Sequence, residues 1–168
     1  MKRKYLIVII ISIIILLAGI LYFLTPNGKT LESREEILKK SKTGKYVWEI
    51  DKEIKLYDYI ISSVYGNKDG LAVFKSYGNN KYKLQSVTYK EKGKVVIEQI
   101  VYKNVVYYIA KCDQANLDYA EVIYSIDNEE LEPRIFDVRE NNLISFKSPS
   151  DDFTMRIIYY DKDGNQYD

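Results

Sequence analysis

Phe153-Thr154-Met155-Arg156-Ile157-Ile158-Tyr159-Tyr160 is the stretch on which the fold turns. Phe153, Met155, Ile157 and Tyr159 recur at every second position, against Thr154, Arg156, Ile158 and Tyr160. That period belongs to a β-strand with one face on a core, since successive side chains point to opposite sides. Working back, Pro149 to Asp152 reads as a loop, and Leu143-Ile144-Ser145-Phe146 as a strand entered through Glu140-Asn141-Asn142. Arg134 to Val138 follows Pro133, and Tyr119 to Ile126 ends in an Asp127-Asn128 turn. These four strands resemble a small immunoglobulin-like or sandwich half.

The same grammar extends upstream. Tyr46 to Ile50, Leu56 to Ile61, Leu71 to Phe74, Tyr82 to Tyr89, Val95 to Ile97, Ile100 to Tyr102 and Val105 to Ile109 are β-branched or aromatic runs. Turn clusters such as Gly66 to Gly70, Glu91-Lys92-Gly93 and Lys103-Asn104 separate them, which is the pattern of an antiparallel meander. The polar Cys112 to Asn116 interruption marks a seam. The expectation is an all-β region, antiparallel meander or sandwich, with a first β-rich part at 45–112 and a second at 113–168. Whether the two share one core is left open.

Residues 25–44 read as a linker with a short helix. Thr25-Pro26-Asn27-Gly28 breaks the chain, and Ser33 with Glu36 three residues on has the form of a capping box. In front of it, residues 5–24 are almost wholly apolar and uncharged. Twenty residues at the helical rise span about 30 Å, enough to cross a bilayer. Lys2, Arg3 and Lys4 precede this run and Lys29 alone follows closely. The positive flank stays inside, so residues 1–4 are expected as a cytoplasmic tail and residues 25–168 outside the cytoplasm. The apolar run exceeds a signal-peptide core and no small-x-small cleavage site follows, which predicts a retained single-pass signal-anchor. Membrane lipid is thus one expected partner, through residues 5–24.

The first 24 residues hold three of the chain's 25 Lys+Arg and none of its 24 Asp+Glu, leaving the remainder 22 against 24. A net charge near −2 offers no basic field for nucleic acid. One cysteine, Cys112, excludes an internal disulfide and any multi-cysteine metal site. The chain has no histidine, which removes Ser-His-Asp and Cys-His catalysis and nearly all zinc hydrolase chemistry. A serine–lysine mechanism passes that filter, and Lys42-Thr43-Gly44 matches a penicillin-binding-protein triplet; its partner motif, Ser followed three residues later by Lys, is missing, so the triplet reads as a turn.

Asp51 with Glu53, Glu129 with Glu130, and Asp151 with Asp152 are the acid pairs a glycoside hydrolase would need, all at turns or loop edges. Asp161-Lys162-Asp163-Gly164-Asn165 offers Asp161, Asp163 and Asn165 as weak calcium candidates, but Tyr159 stands where the calcium loop needs a ligand. A tight turn with Gly164 at positive φ is the plainer expectation. Seventeen tyrosines, clustered at Tyr57/Tyr59, Tyr107-Tyr108 and Tyr159-Tyr160, are good strand formers with wet hydroxyls, or flat surfaces for sugar or peptide. Trp48 is read as a core residue.

Asp69 to Phe74, Asp118 to Val122 and Tyr159 to Gly164, with the N-terminal run, resemble small, uncharacterised extracytoplasmic proteins of spore-forming Gram-positive bacteria. That resemblance implies location and architecture, and carries no activity. The function expected is a non-enzymatic, envelope-tethered binding or interaction module with an envelope protein or wall polymer as partner and no cofactor. The alternative is a carboxylate-dependent cell-wall hydrolase working without histidine.

Overall fold

A computed structural model describes residues 10–19 and 26–168. Residues 10–19 are helical (α1), and the cytoplasmic tail and both ends of the 5–24 run expected from the sequence lie outside the described residues. Among the described residues no helix is long and apolar enough to cross a membrane.

A second helix, α2, spans Leu31–Lys40. Its N-cap is Thr30, in extended conformation, whose hydroxyl accepts from Ser33 N at 3.2 Å. The capping pattern in the sequence points to Ser33 instead. In the fold Ser33 is already inside the helix, and its Oγ accepts from Asn27 N (2.9 Å) and Gly28 N (2.8 Å), stitching the linker to the first turn. Glu36 is left to pair with Lys40 one turn on. Glu32 in the first turn and Lys39 and Lys40 in the last complement the helix dipole. Ser41 closes the helix with its N–H on Leu38 O.

Twelve strands follow: β1 Val47–Leu56, β2 Tyr59–Gly66, β3 Asp69–Ser76, β4 Tyr82–Lys90, β5 Val96–Tyr102 and β6 Val105–Lys111; then β7 Leu117–Ile126, β8 Glu129–Glu130, β9 Arg134–Asp137, β10 Leu143–Lys147, β11 Thr154–Asp161 and β12 Gln166–Tyr167. Every strand pairing among the described residues is antiparallel. The first four strands form one meander sheet, β10-β6-β5 a second, and β12-β11-β7-β8 with β9 also on β7 a third. Two hairpins close on turns with both central residues left-handed, Lys103-Asn104 (φ 49° and 63°) and Asp127-Asn128 (φ 53° and 67°). Such turns match the twist of the strands they join.

The sequence separates Val95 to Ile97 from Ile100 to Tyr102, whereas β5 runs unbroken through Glu98 and Gln99. Glu98 is a strand residue because Ser86 and Thr88 on β4 donate hydroxyl hydrogen bonds to its carboxylate.

The sheets stack in layers. Leu38 of α2 packs with Val47, Ile50, Val64, Ala72 and Phe74 on one face of the first sheet. The other face places Tyr59, Ile61, Leu71 and Val73 against Val96, Ile100, Ile109 and Leu143 of the second sheet. The far side of that second sheet, through Ala110, Ile144 and Phe146, meets Ala120, Val122, Tyr124, Ile157 and Tyr159 of the third. Phe153 and Met155 join that last cluster, so the alternation from Phe153 to Tyr159 marks a core face. The central sheet is covered on both sides, and alternation along β6 sends Ile109 one way and Ala110 the other. Its third strand, β10, comes from beyond the Cys112 to Asn116 seam.

Candidate functional site

Two neighbouring serines on β2 show how this fold disposes of its buried charge. Ser62 and Ser63 face opposite sides of the first sheet. Ser62 Oγ donates to Glu53 Oε1 at 2.6 Å, and Glu53 also receives Arg34 Nε at 2.8 Å and Arg34 Nη2. Arg34 Nη1 reaches Gly28 O at 2.7 Å, so the guanidinium ties α2, the linker and β1 together.

On the other side Ser63 Oγ accepts from Lys111 Nζ at 2.8 Å, which also donates to Val64 O (3.3 Å) and pairs with Asp113 at 2.5 Å. Serine against lysine is the contact a serine–lysine nucleophile uses. Here Lys111 is 0% and Ser63 1% exposed, and Lys111 Nζ is engaged by the Asp113 carboxylate. The pair is a buried clasp between sheets. Lys42-Thr43-Gly44 forms part of the turn after α2, closed by Gly44 N on Ser41 O. Cys112, buried on the opposite face from Lys111, has its thiol pushed up to about 12, chiefly by burial. It is a thiol at any physiological pH.

Asp161, Asp163 and Asn165 lie together in the β11–β12 turn, but the carboxylate is already spent. Asp161 Oδ1 accepts from Asp163 N and Asn165 N at 2.9 Å each, and Oδ2 from Asn165 Nδ2 (2.9 Å) and Tyr167 OH (3.0 Å). These bonds, the Asn165 side chain first, hold its carboxyl below the ordinary value. Gly164 has φ 82°. Among the described residues no three His, Cys, Asp or Glu gather as a ligand set.

The acid pairs do not converge as pairs: Glu53 is engaged by Arg34, while Asp51, Glu129, Glu130, Asp151 and Asp152 are exposed. Adjacent tyrosines part to opposite faces and stack across strands instead. Tyr57 lies on Tyr102 with ring centroids 4.1 Å apart, and Tyr119 on Tyr160 at 4.6 Å. Tyr108 and Tyr159 go to the core. Trp48 is half-buried at a register shift of β1, its ring against Gly66.

The arrangement that sequence reasoning missed is a cleft around Arg139. The β6–β7 connection supplies Gln114 and Asn116, the β9–β10 connection Arg139 and Asn142, the β11–β12 turn Lys162, and β1 supplies Lys52. A register shift between Ile50 and Lys52 aims that lysine across, where its Nζ donates to Glu140 O at 3.1 Å. Lys162 N on Asn116 O (3.1 Å) and Asn142 Nδ2 on Cys112 O (3.2 Å) fix the loops to one another. The cleft, open to solvent, has a volume of about 270 Å³.

No family model, curated protein or solved structure matches this chain.

Arg139 is clamped by Asp137 through Nε and Nη2, with Asp118 3.7 Å from Nε. Hydrogen bonds from that side chain hold Asp137 down to about 2. Asp118, Asp137, Tyr119 and Ile135 line an adjoining hollow of about 330 Å³ on the other side of Arg139. Lys52 and Lys162 make no ion pair with a carboxylate among the described residues.

Proposed function

We propose that this protein is an envelope-tethered binding module, anchored through residues 5–24 with its β-rich part outside the cytoplasm. The observation that carries the reading is α1. Its apolar side chains stand out on all sides, Ile15 at 66% and Leu16 at 64% exposure, ahead of a β-rich region that has buried its own. A helix apolar all round belongs in lipid or in a large core. The charge step from Lys2, Arg3 and Lys4 to the sparse flank after residue 24 supports an inside N-terminus. The β7, β9 and β11 layer against β6 and β10 is in keeping with an immunoglobulin-like half-sandwich, an architecture suited to presenting loops.

Binding is favoured over catalysis because the groups capable of chemistry are engaged. Ser63 and Lys111 are sealed, the Cys112 thiol is buried and protonated, and Glu53 is bound to Arg34. One observation speaks for the hydrolase alternative: Asp118 and Asp137 share a hollow. Asp137, held near 2 by Arg139, is ionised at working pH and has no proton to give a leaving group.

Three experiments decide. A C-terminal reporter active only outside the cytoplasm, with protease on intact cells removing the β-rich part, is the expected topology; a reporter active only in the cytosol overturns it. Pulldown from intact envelopes recovers a protein or wall polymer above a scrambled control. Release of reducing ends from wall glycan by the wild type, lost in Asp118→Asn, would instead establish the hydrolase.

A further inference from the structure

The Arg139 cleft carries more than a surface of the right shape. Its walls come from four separate chain segments, and the bonds between Lys162 N and Asn116 O, and from Asn142 Nδ2 to Cys112 O and the Asp113 carboxylate, fix them in place. Lys52, Arg139 and Lys162 line it with no carboxylate among the lining residues. Asp137 offsets the Arg139 charge while setting the plane of its guanidinium, which leaves Nη1 without a hydrogen bond among the described residues. Lys52 and Lys162 then supply the uncompensated positive charge.

Between the cations stand amides. Gln114 uses Nε2 on Gly93 O at 3.1 Å and keeps Oε1 free; Asn116 is exposed, at φ 60°. Asn142, with Nδ2 committed to two acceptors, has its Oδ1 turned away, buried and without a donor. Beyond Arg139 the wall carries Tyr119, backed by Tyr160, and Ile135, with the carboxylates of Asp118 and Asp137 turned to Arg139. Ammonium and guanidinium groups meet an anion, amides meet hydroxyls, and a flat aromatic ring meets the C–H face of a sugar or polyol.

We propose that this cleft binds an anionic, hydroxyl-rich polymer segment, a saccharide or polyol chain bearing phosphate or carboxylate. Lys52 and Lys162 meet the charge, Arg139 Nη1 bonds the acidic group, Gln114 and Asn116 take hydroxyls, and Tyr119 supports the chain beyond. This deepens the binding-module reading and rests on it for where such a polymer is met.

The test uses the full chain in micelles of a nonionic polyoxyethylene detergent. Calorimetric titration is run with a glycerol-phosphate oligomer, an oligogalacturonate and neutral maltohexaose. The acidic oligomers bind and maltohexaose does not. Affinity falls at least about fivefold between low and high salt, as exposed charges are screened. Lys52→Gln with Lys162→Gln weakens binding by about tenfold or more, whereas Lys83→Gln, an exposed cation on β4, leaves it unchanged. Binding of the phosphate oligomer alone, or of the carboxylate oligomer alone, identifies the acidic group and supports the site. Equal binding of maltohexaose, full affinity in the double variant, or no binding of either acidic oligomer at roughly 10 mM overturns it. Unfolding midpoints of the variants, equal to wild type, separate lost binding from lost fold. Micelles read the cleft whatever side of a membrane it faces, so a failed titration and a failed topology are separate results.

Discussion

Replacing Lys111 by methionine isolates the clasp between the first and central sheets. Methionine keeps an unbranched stem of similar reach and removes the three donors that now meet Ser63 Oγ, Val64 O and the Asp113 carboxylate. A buried hydrogen bond to a charged group contributes about 1.5–3 kcal/mol, and breaking a fully buried ion pair costs about 3–5 kcal/mol. The upper figure does not apply unreduced. Asp113 is 25% exposed and keeps its bond from Asn142 Nδ2, so it rehydrates in part once the lysine is gone; the Ser63 hydroxyl can rotate to a new acceptor. The expected loss is therefore about 2–4 kcal/mol, which lowers the thermal midpoint by roughly 5–15 °C in a chain of this size. Urea unfolding of wild type, Lys111→Met, Asp113→Asn and the double variant reads it directly. The double variant should recover at least about 1 kcal/mol relative to the sum of the singles, because the pair is removed together. A Lys111→Met midpoint indistinguishable from wild type, or strict additivity, refutes the view that this lysine is sealed and paired.

Arg34→Met breaks the contact with Glu53 that docks α2, with a loss of about 2–4 kcal/mol, while Ser62→Ala loses about 1 kcal/mol; urea midpoints in the reverse order count against the staple. The Asp161 carboxyl is held below its ordinary value, so its contribution is complete above the unfolded pKa of about 3.9 and is lost as pH falls through the folded one. The stability gap between wild type and Asp161→Asn should thus narrow from pH 6 to pH 2, and a constant gap contradicts the turn's reliance on the carboxylate. With its thiol near 12, Cys112 is about one part in ten thousand thiolate at pH 8 and has no solvent path. Ellman's reagent should label it only as fast as the protein opens, and labelling of the native state within seconds would disprove its burial.

How much of this was legible in the residues depends on whether a signal is local. The Lys103-Asn104 and Asp127-Asn128 turns were readable because a left-handed pair has its own sidechain preferences, and the Phe153 to Tyr160 strand because one face repeats. The cap on α2 lies three residues ahead of the local pattern: Ser33 with Glu36 has the form of a capping box, yet its hydroxyl is claimed by Asn27 and Gly28 from the linker. Glu98 looked like a break within β5 because its partners, Ser86 and Thr88, sit on another strand. Tyrosine pairs adjacent in sequence suggested surfaces that alternation then divides. The Arg139 cleft had no linear signature whatever, since Lys52, Asn116, Arg139 and Lys162 are single polar residues in four unrelated segments. Only the register of β1 and the bonds among the loops gather them.

The doubly covered central sheet constrains how the chain acquires its structure. β5 and β6 are made from residues 96–111, but their outer partner β10 arrives only at 143–147, after three further strands and their turns. Closing a loop of that span is slow compared with hairpin formation, so the meander ahead of it must wait with Ile61, Leu71 and Val73 incompletely sheltered. A chain emerging N-terminus first through a narrow exit would hold this half-built, adhesive intermediate until residue 147 has cleared. Its window of vulnerability to proteases and to sticking closes with one five-residue strand.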